Sequence, residues 1–199
     1  IPSSVMMCLP SVLVSLLNGI LSSISQSAVA FFGVYYKLQT FIYMPTSGIV
    51  QGMRPLMSYN YGAKLKERMH QILKVSGLVI AAILGAGTLL FFIVPNVLLS
   101  LFNASSGMLE IGETGLRILS LSFIVSSFGV LMSGVFEALG LGKYSLIVSL
   151  LRQLLITVPL AYILLNVMGI EGIWLSFVIA EAIASIVAYI LYHKKFKTI

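Results

Sequence analysis

Polar and turn-forming residues divide this chain into six long apolar runs. The breaks fall at 22–28, 59–68, 95–115, 140–143 and 166–171, each rich in Gly, Ser, Asn or charge, as turns are. Between them lie runs at roughly 4–23, 30–56, 72–94, 116–138, 144–166 and 171–193. Each approaches the roughly 20 apolar residues with which a helix crosses the hydrocarbon core. No charge occurs at 1–36 or at 75–109. Continuous runs such as 78–94 lack the alternation of a membrane β-barrel strand. The pattern predicts an all-α integral membrane protein, a six-transmembrane-helix bundle.

Charge orients the bundle. Lys64, Lys66, Arg68 and Lys74 lie between the second and third runs, Lys143 between the fourth and fifth, and Lys194, Lys195 and Lys197 after the sixth. The opposite connectors hold Glu110, Glu113 and Glu171, with Arg117 at their edge. Cytoplasmic loops collect Lys and Arg, so the expectation is six spans with both ends cytoplasmic, in a bacterial or archaeal inner (cell) membrane. The net charge of +6 is then a topology signal. Spread over three loops, it argues against a nucleic-acid partner and leaves the lipid bilayer as the surroundings.

Composition agrees. Hydrophobic residues make up 59% and charged residues 9% of the 199, against roughly 25% charged in soluble domains. Soluble enzymes are excluded. All six acids are Glu, so chemistry that needs an Asp pair is absent. One cysteine, Cys8, permits no internal disulfide, and with only His70 and His193 it closes no structural zinc site. The sequence calls for no metal and no cofactor. Neither an intramembrane protease centre nor a potassium-filter TVGYG is present, so no catalytic residue is named. Asn103-Ala104-Ser105 matches a glycosylation sequon by chance. The chain opens with neither Met nor a basic n-region, and the expectation is that a further segment precedes it. No internal repeat or domain boundary emerges, so 1–199 reads as one domain.

Charges at membrane depth mark function by default. At 1.5 Å per residue, Lys37 falls roughly 10–14 Å below the outer face, Arg152 roughly 12–14 Å from the inner face and Glu181 roughly 15 Å in. Two roles fit them. Arg152 or Lys37 neutralises Glu181 and pins helix packing, or the three line a polar cavity. Arg54 and Glu137 lie nearer the inner face, Glu137 with no cation adjacent in sequence. Pro10, Pro45 and Pro159 fall inside runs, where a freed carbonyl needs protein or cavity water. Asn18, Gln39, Gln51 and Gln153 add polar groups at depth, and Tyr35, Tyr36, Tyr43, Met44 and Met53 supply soft aromatic and thioether surface. The candidates for a substrate or ion pathway are Lys37, Gln39, Gln51, Arg54, Glu137, Arg152, Gln153, Glu181, Tyr35 and Met53. The stripes Gly48-x-x-x-Gly52 and Ala180, Ala184, Ala188 suit close helix packing.

One stretch goes further. Gly48-Ile-Val-Gln-Gly-Met-Arg-Pro-Leu-Met-Ser-Tyr-Asn-Tyr-Gly-Ala-Lys resembles the segment after the eighth helix of multidrug and toxic compound extrusion (MATE) transporters. Glu137-Ala138-Leu139-Gly140-Leu141-Gly142-Lys143 looks like the turn between the tenth and eleventh helices. Leu151-Arg152-Gln153 with Val158-Pro159-Leu160 looks like the eleventh, and Gly169-Ile170-Glu171-Gly172-Ile173-Trp174 like the entry to the twelfth. The resemblance implies the C-terminal six-helix lobe of a twelve-helix V-shaped antiporter. Such a protein exports small amphipathic, often cationic compounds against a coupling cation. The partner would be the N-terminal lobe of the same polypeptide. The first run has no acid, so the family's sodium arrangement is not reproduced, and a proton coupled through the other lobe is expected instead. Pro55, Tyr59, Asn60, Tyr61, Gly62 and Ala63 are assigned to structure, with Gly62 expected to take positive φ and stop the second helix. A lipid-linked oligosaccharide flippase of the same superfamily, with a more cationic cavity, is the alternative, followed by a non-transporting six-helix protein.

Overall fold

The computed structural model describes residues 2–196. It contains helices α1 (Pro2–Ser22), α2 (Gln26–Gly62), α3 (Lys66–Ile93), α4 (Pro95–Ser100), α5 (Ser106–Ala138), α6 (Gly142–Leu150), α7 (Thr157–Met168) and α8 (Ile170–Phe196). A π-helical turn, Leu151–Leu155, joins α6 to α7. No strand occurs among the described residues.

Among the described residues, five units are long and apolar enough to cross a membrane: α1, α3, α5, the α6–α7 unit over Gly142–Met168, and α8. The sixth long helix, α2, has 37 residues but is less apolar than the other five. Its sequence interleaves Lys37, Gln39, Thr40, Ser47, Gln51 and Arg54 with apolar residues. The six long units match the six runs in order, with shifted boundaries. α3 begins at Lys66 rather than 72 and α5 at Ser106 rather than 116, and the expected connector at 95–115 holds the short helix α4. The second run extends past the expected break at Tyr59, and the helix continues unbroken through both Pro45 and Pro55 to Gly62.

Helix α5 is the centre of the bundle, packed against α2, α3, α6 and α8. Glycines let it sit close. A Cβ on Gly115 would lie 2.7 Å from the Phe31 ring and 3.2 Å from Trp174 Nε1, and one on Gly134 would lie 2.5 Å from Val50 Cγ1. Phe31 packs edge-on to Trp174 at 5.1 Å, Phe32 stacks on Trp174, and Phe91 meets Phe123 edge-on at 5.2 Å. This aromatic cluster ties α2, α3, α5 and α8 together. Such pairs add about 0.5–1.5 kcal/mol each beyond burial. Leu9, Leu13, Leu17 and Leu21 form the buried stripe of α1, and Ala180, Ala184 and Ala188 that of α8. Polar links cross the interfaces too. Thr88 Oγ1 donates to Ser120 O at 2.9 Å, and Ser185 Oγ donates to Val125 O at 3.0 Å.

One expected stop and one expected packing stripe differ from the sequence reading. Gly62 does not take positive φ. The residue in the left-handed region is Lys64, at φ 58°. Lys64 N–H donates to Tyr61 O at 3.0 Å and Leu65 N–H to Asn60 O at 2.9 Å, which is a Schellman stop with Lys64 where glycine is usual. The α5 stop is the same motif with Gly140 at φ 72°, closed by Gly140 N–H to Glu137 O and Leu141 N–H to Phe136 O. The Gly48-x-x-x-Gly52 stripe packs against nothing: a Cβ at either position meets no atom within 4 Å. Those glycines lie on the exposed side of α2, away from α5.

Candidate functional site

A polar groove runs along α2, with α1 on one side and the π turn, α5 and α8 behind it. It comprises two adjoining clefts of about 290 and 540 Å³ that share Tyr43, Ser47, Arg152 and Gln153. The first holds Glu181 at its base, and the second holds Arg54 and Glu137.

The π turn presents Arg152 and Gln153. Pro159 has no N–H to give to the carbonyl four residues back, so the ladder shifts in the preceding turn. Ile156 N–H reaches Leu151 O at 3.1 Å, and Thr157 Oγ1 donates to Arg152 O at 2.5 Å. Such turns concentrate at functional sites. Arg152 Nε lies 3.3 Å from Glu181 Oε1 across the α8 interface. It is an ion pair without hydrogen-bond alignment at Nε, and Glu181 Oε2 is buried with no protein donor. Glu181 is 9% exposed, so the pair sits in a low dielectric where each charge needs the other.

The second pair lies nearer the Gly62 end of α2. Arg54 Nη2 is 2.6 Å from Glu137 Oε2. Ser145 Oγ donates to Glu137 Oε1 at 3.0 Å, and Met6 Sδ lies 3.4 Å from the same hydroxyl. Glu137 therefore has a cation partner, contrary to its isolation in sequence. Arg54 is 83 residues away on another helix, and nothing in a linear pattern fixes how α2 and α5 are rotated toward each other.

The candidate list divides on this geometry. Gln39, Gln51, Arg54, Glu137, Arg152, Gln153 and Glu181 all line the groove. Three candidates do not. Tyr35 is wholly buried, with its ring stacked on Phe123 at 6.4 Å. Met53 is 2% exposed and packs beneath Gly134. Both belong to the α2 face that meets α5, a phase that periodicity left undetermined. Lys37 is not buried with Glu181. It is exposed on the outer face of α2, and Arg152 alone neutralises Glu181. Sequence reasoning also left Thr40 and Ser47 out of the site. Their signal was available: both share the α2 face of Met44 and Gln51, at helical spacing. Tyr43, which donates to or accepts from Ser126 Oγ at 2.6 Å, joins the groove to α5. Asn18 belongs to neither cleft, although its Oδ1 is buried without a partner. In the motif at the end of α2, Pro55, Tyr59, Tyr61, Gly62 and Ala63 are exposed. Asn60 is buried and donates from Nδ2 to Leu56 O at 2.8 Å.

A family model, MatE, matches residues 2–163. The chain belongs to the MatE family. This MatE chain is 26% identical over 190 residues to the multidrug export protein MepA of Staphylococcus saprophyticus, covering 96% of itself and 42% of that protein. MepA of Staphylococcus aureus strain N315 is 26% identical over 191 residues, with the same coverage. Among solved structures, the outward-facing conformation of a multidrug resistance MATE family transporter of the MOP superfamily superposes with TM-score 0.92 at 23% identity. The superposition covers 99% of this chain and 45% of that one. A MOP superfamily transporter from Pyrococcus furiosus, whose binding pocket is described as having reverse polarity, gives 0.91 at 22% identity, covering 98% and 45%. The MatE chain thus spans about half the length of the relatives it matches. Its fold is that of one six-helix lobe of a multi-pass membrane transporter.

Proposed function

We propose that this lobe lines one side of the substrate cavity of a secondary active multidrug exporter, opposite an N-terminal lobe of the same polypeptide. The exporter carries small amphipathic, often cationic compounds out of the cell, in a cell membrane with both ends of this chain cytoplasmic. The observation that carries the reading is the outward face of α2. Gly33, Lys37, Thr40, Met44, Ser47 and Gln51 recur at helical spacing and are all exposed. A polar stripe along a membrane helix is costly against lipid and stable against a water-filled cavity. The charged groove opens beside the same stripe, and the relatives named as multidrug export proteins support the activity.

Both groove carboxylates are already engaged by arginines. That favours a coupling site in the other lobe, and the coupling cation we infer there is a proton. The test is dye efflux from proteoliposomes holding the full-length protein, under an imposed proton gradient and, separately, a sodium gradient. Efflux driven by the proton gradient alone supports the whole reading. Efflux driven by sodium alone removes the proton, and no efflux under either removes the exporter.

A further inference from the structure

A second cleft lies away from the groove, where α6 begins and α8 ends. Its volume is about 280 Å³, and Tyr144, Leu191, Lys194 and Lys195 line it. Lys143, exposed, stands next to Tyr144 at the start of α6. The Tyr144 ring is fixed by its packing on Phe136 of α5, 5.9 Å between centroids. No carboxylate occurs among the described lining residues. Glu137, the acid nearest to Lys143 in sequence, is taken up by Arg54 and Ser145.

Helical register sorts the charged and apolar groups around this cleft into layers. On α8, Lys194 follows Ile190 by four residues and Lys195 follows Leu191 by four; on α6, Ile147 follows Lys143 by four. Residues four apart share a helix face. The two spans, Gly142–Met168 and Ile170–Lys195, run in opposite directions, so their Gly142 and Lys195 ends adjoin. On both helices the lysine is therefore the outer residue, and the apolar one sits about 6 Å deeper. Ile147 is 45% and Ile190 56% exposed, so neither is used up in the bundle core. Ammonium donors above exposed hydrocarbon match an amphiphile with an anionic head. Basic pockets between membrane helices at the bilayer edge hold phospholipid headgroups for this reason.

We propose that this cleft is a binding site for an anionic phospholipid, its phosphate held by Lys143 and Lys195 and its acyl chains lying on Ile147 and Ile190. The lipid bridges the start of α6 and the end of α8. None of the four lining residues belongs to either groove cleft, so the site stands apart from the exporter reading.

Native mass spectrometry of the detergent-solubilised full-length protein tests it by counting bound lipids. The probes are phosphatidylglycerol, phosphatidylcholine with the same chains, and glycerophosphoglycerol, the anionic headgroup without chains. The wild type should take up one phosphatidylglycerol well before phosphatidylcholine or the bare headgroup. Each basic residue beside an anionic lipid is worth roughly fivefold in affinity. Lys143→Gln with Lys195→Gln should therefore weaken that first phosphatidylglycerol roughly twentyfold and leave phosphatidylcholine unchanged. Lys143→Arg with Lys195→Arg should keep most of the affinity. Should the double glutamine variant fail to fold, Lys143→Gln alone, about fivefold weaker, carries the test. The control removes the same charge elsewhere, by Lys66→Gln with Lys74→Gln, and should leave the first lipid in place. An equal loss in that control overturns the proposal, because the attraction would then be spread over the whole basic surface. Phosphatidylcholine bound as tightly as phosphatidylglycerol also overturns it, as does the bare headgroup bound as tightly as the lipid, which would mark a site for free phosphate esters.

Discussion

Deleting the charge of Glu181 strands a guanidinium. Arg152 stays ionised in nearly any environment, so Glu181→Gln leaves it buried and unanswered. The expected loss is about 3 kcal/mol in the full-length protein. Adding Arg152→Gln should recover part of it. Melting temperatures through the four-member cycle decide the matter, and a coupling energy near zero refutes the pair. Lys64 makes a different prediction, through the backbone. A non-glycine residue in the left-handed region costs about 1 kcal/mol or more, and at 58° Lys64 is held there by the stop after α2. Lys64→Gly should stabilise the protein by about 1 kcal/mol, whereas Gly62→Ala should change stability little, its Cβ meeting nothing within 4 Å. Equal effects at the two sites would show that the left-handed residue has been misplaced. The Arg152–Glu181 contact was legible in sequence because both residues fell at matching depth on consecutive antiparallel helices. Arg54–Glu137 was not, since depth alone pairs a residue with any helix in the bundle.

At the level of helices, packing is asymmetric around α5. Gly115 admits the Phe31 ring and Gly134 admits Val50, while Gly48 and Gly52 on α2 admit nothing. Gly115→Val should therefore destabilise by about 1–3 kcal/mol through overpacking, and Gly48→Ala should stay within about 0.5 kcal/mol of wild type. Thermal unfolding of both variants checks the contrast. A spacing such as Gly-x-x-x-Gly shows that a helix could approach, but not on which side one is present. The six runs themselves were plain, because apolar length is a direct record of bilayer thickness. The π turn was only half visible. Pro159 announced a fault in the ladder, yet a bend, a break or a π turn all answer a missing N–H. The choice fell to Thr157, whose hydroxyl bonds the Arg152 carbonyl. The stop after α2 was nearly legible: Gly62 was expected to end the helix, and it is the last helical residue, but the left-handed turn falls at Lys64.

For the molecule as a whole, the alternation of basic loops predicts which ends face which compartment. In a Cys8→Ser background of the full-length protein, a cysteine at Ser106 should react with an impermeant reagent added outside, and one at Lys66 should not. Labelling at Lys66 from outside overturns the orientation. The architecture was legible because composition excludes most other classes of protein. The site was legible only in part, since residues such as Tyr35 and Lys37 sit two positions apart on one helix yet face opposite ways, one into the aromatic core and one outward.

The two prolines inside α2 have a consequence for how such a cavity can change over generations. Neither Pro45 nor Pro55 has an amide proton to give, so the main-chain oxygens of Phe41 and Gln51 lack their usual helical donor. Both prolines lie on the exposed side of the helix. Two acceptors there belong to the peptide chain itself, and no replacement of the side chains at 41 or 51 removes them. If the lobe serves the exporter proposed above, selection for an altered range of compounds can rewrite the lysine, the glutamines and the serine of that surface one codon at a time. The carbonyls are a fixed inheritance, open to revision only at the prolines, where the same change would also restore the missing helical donor.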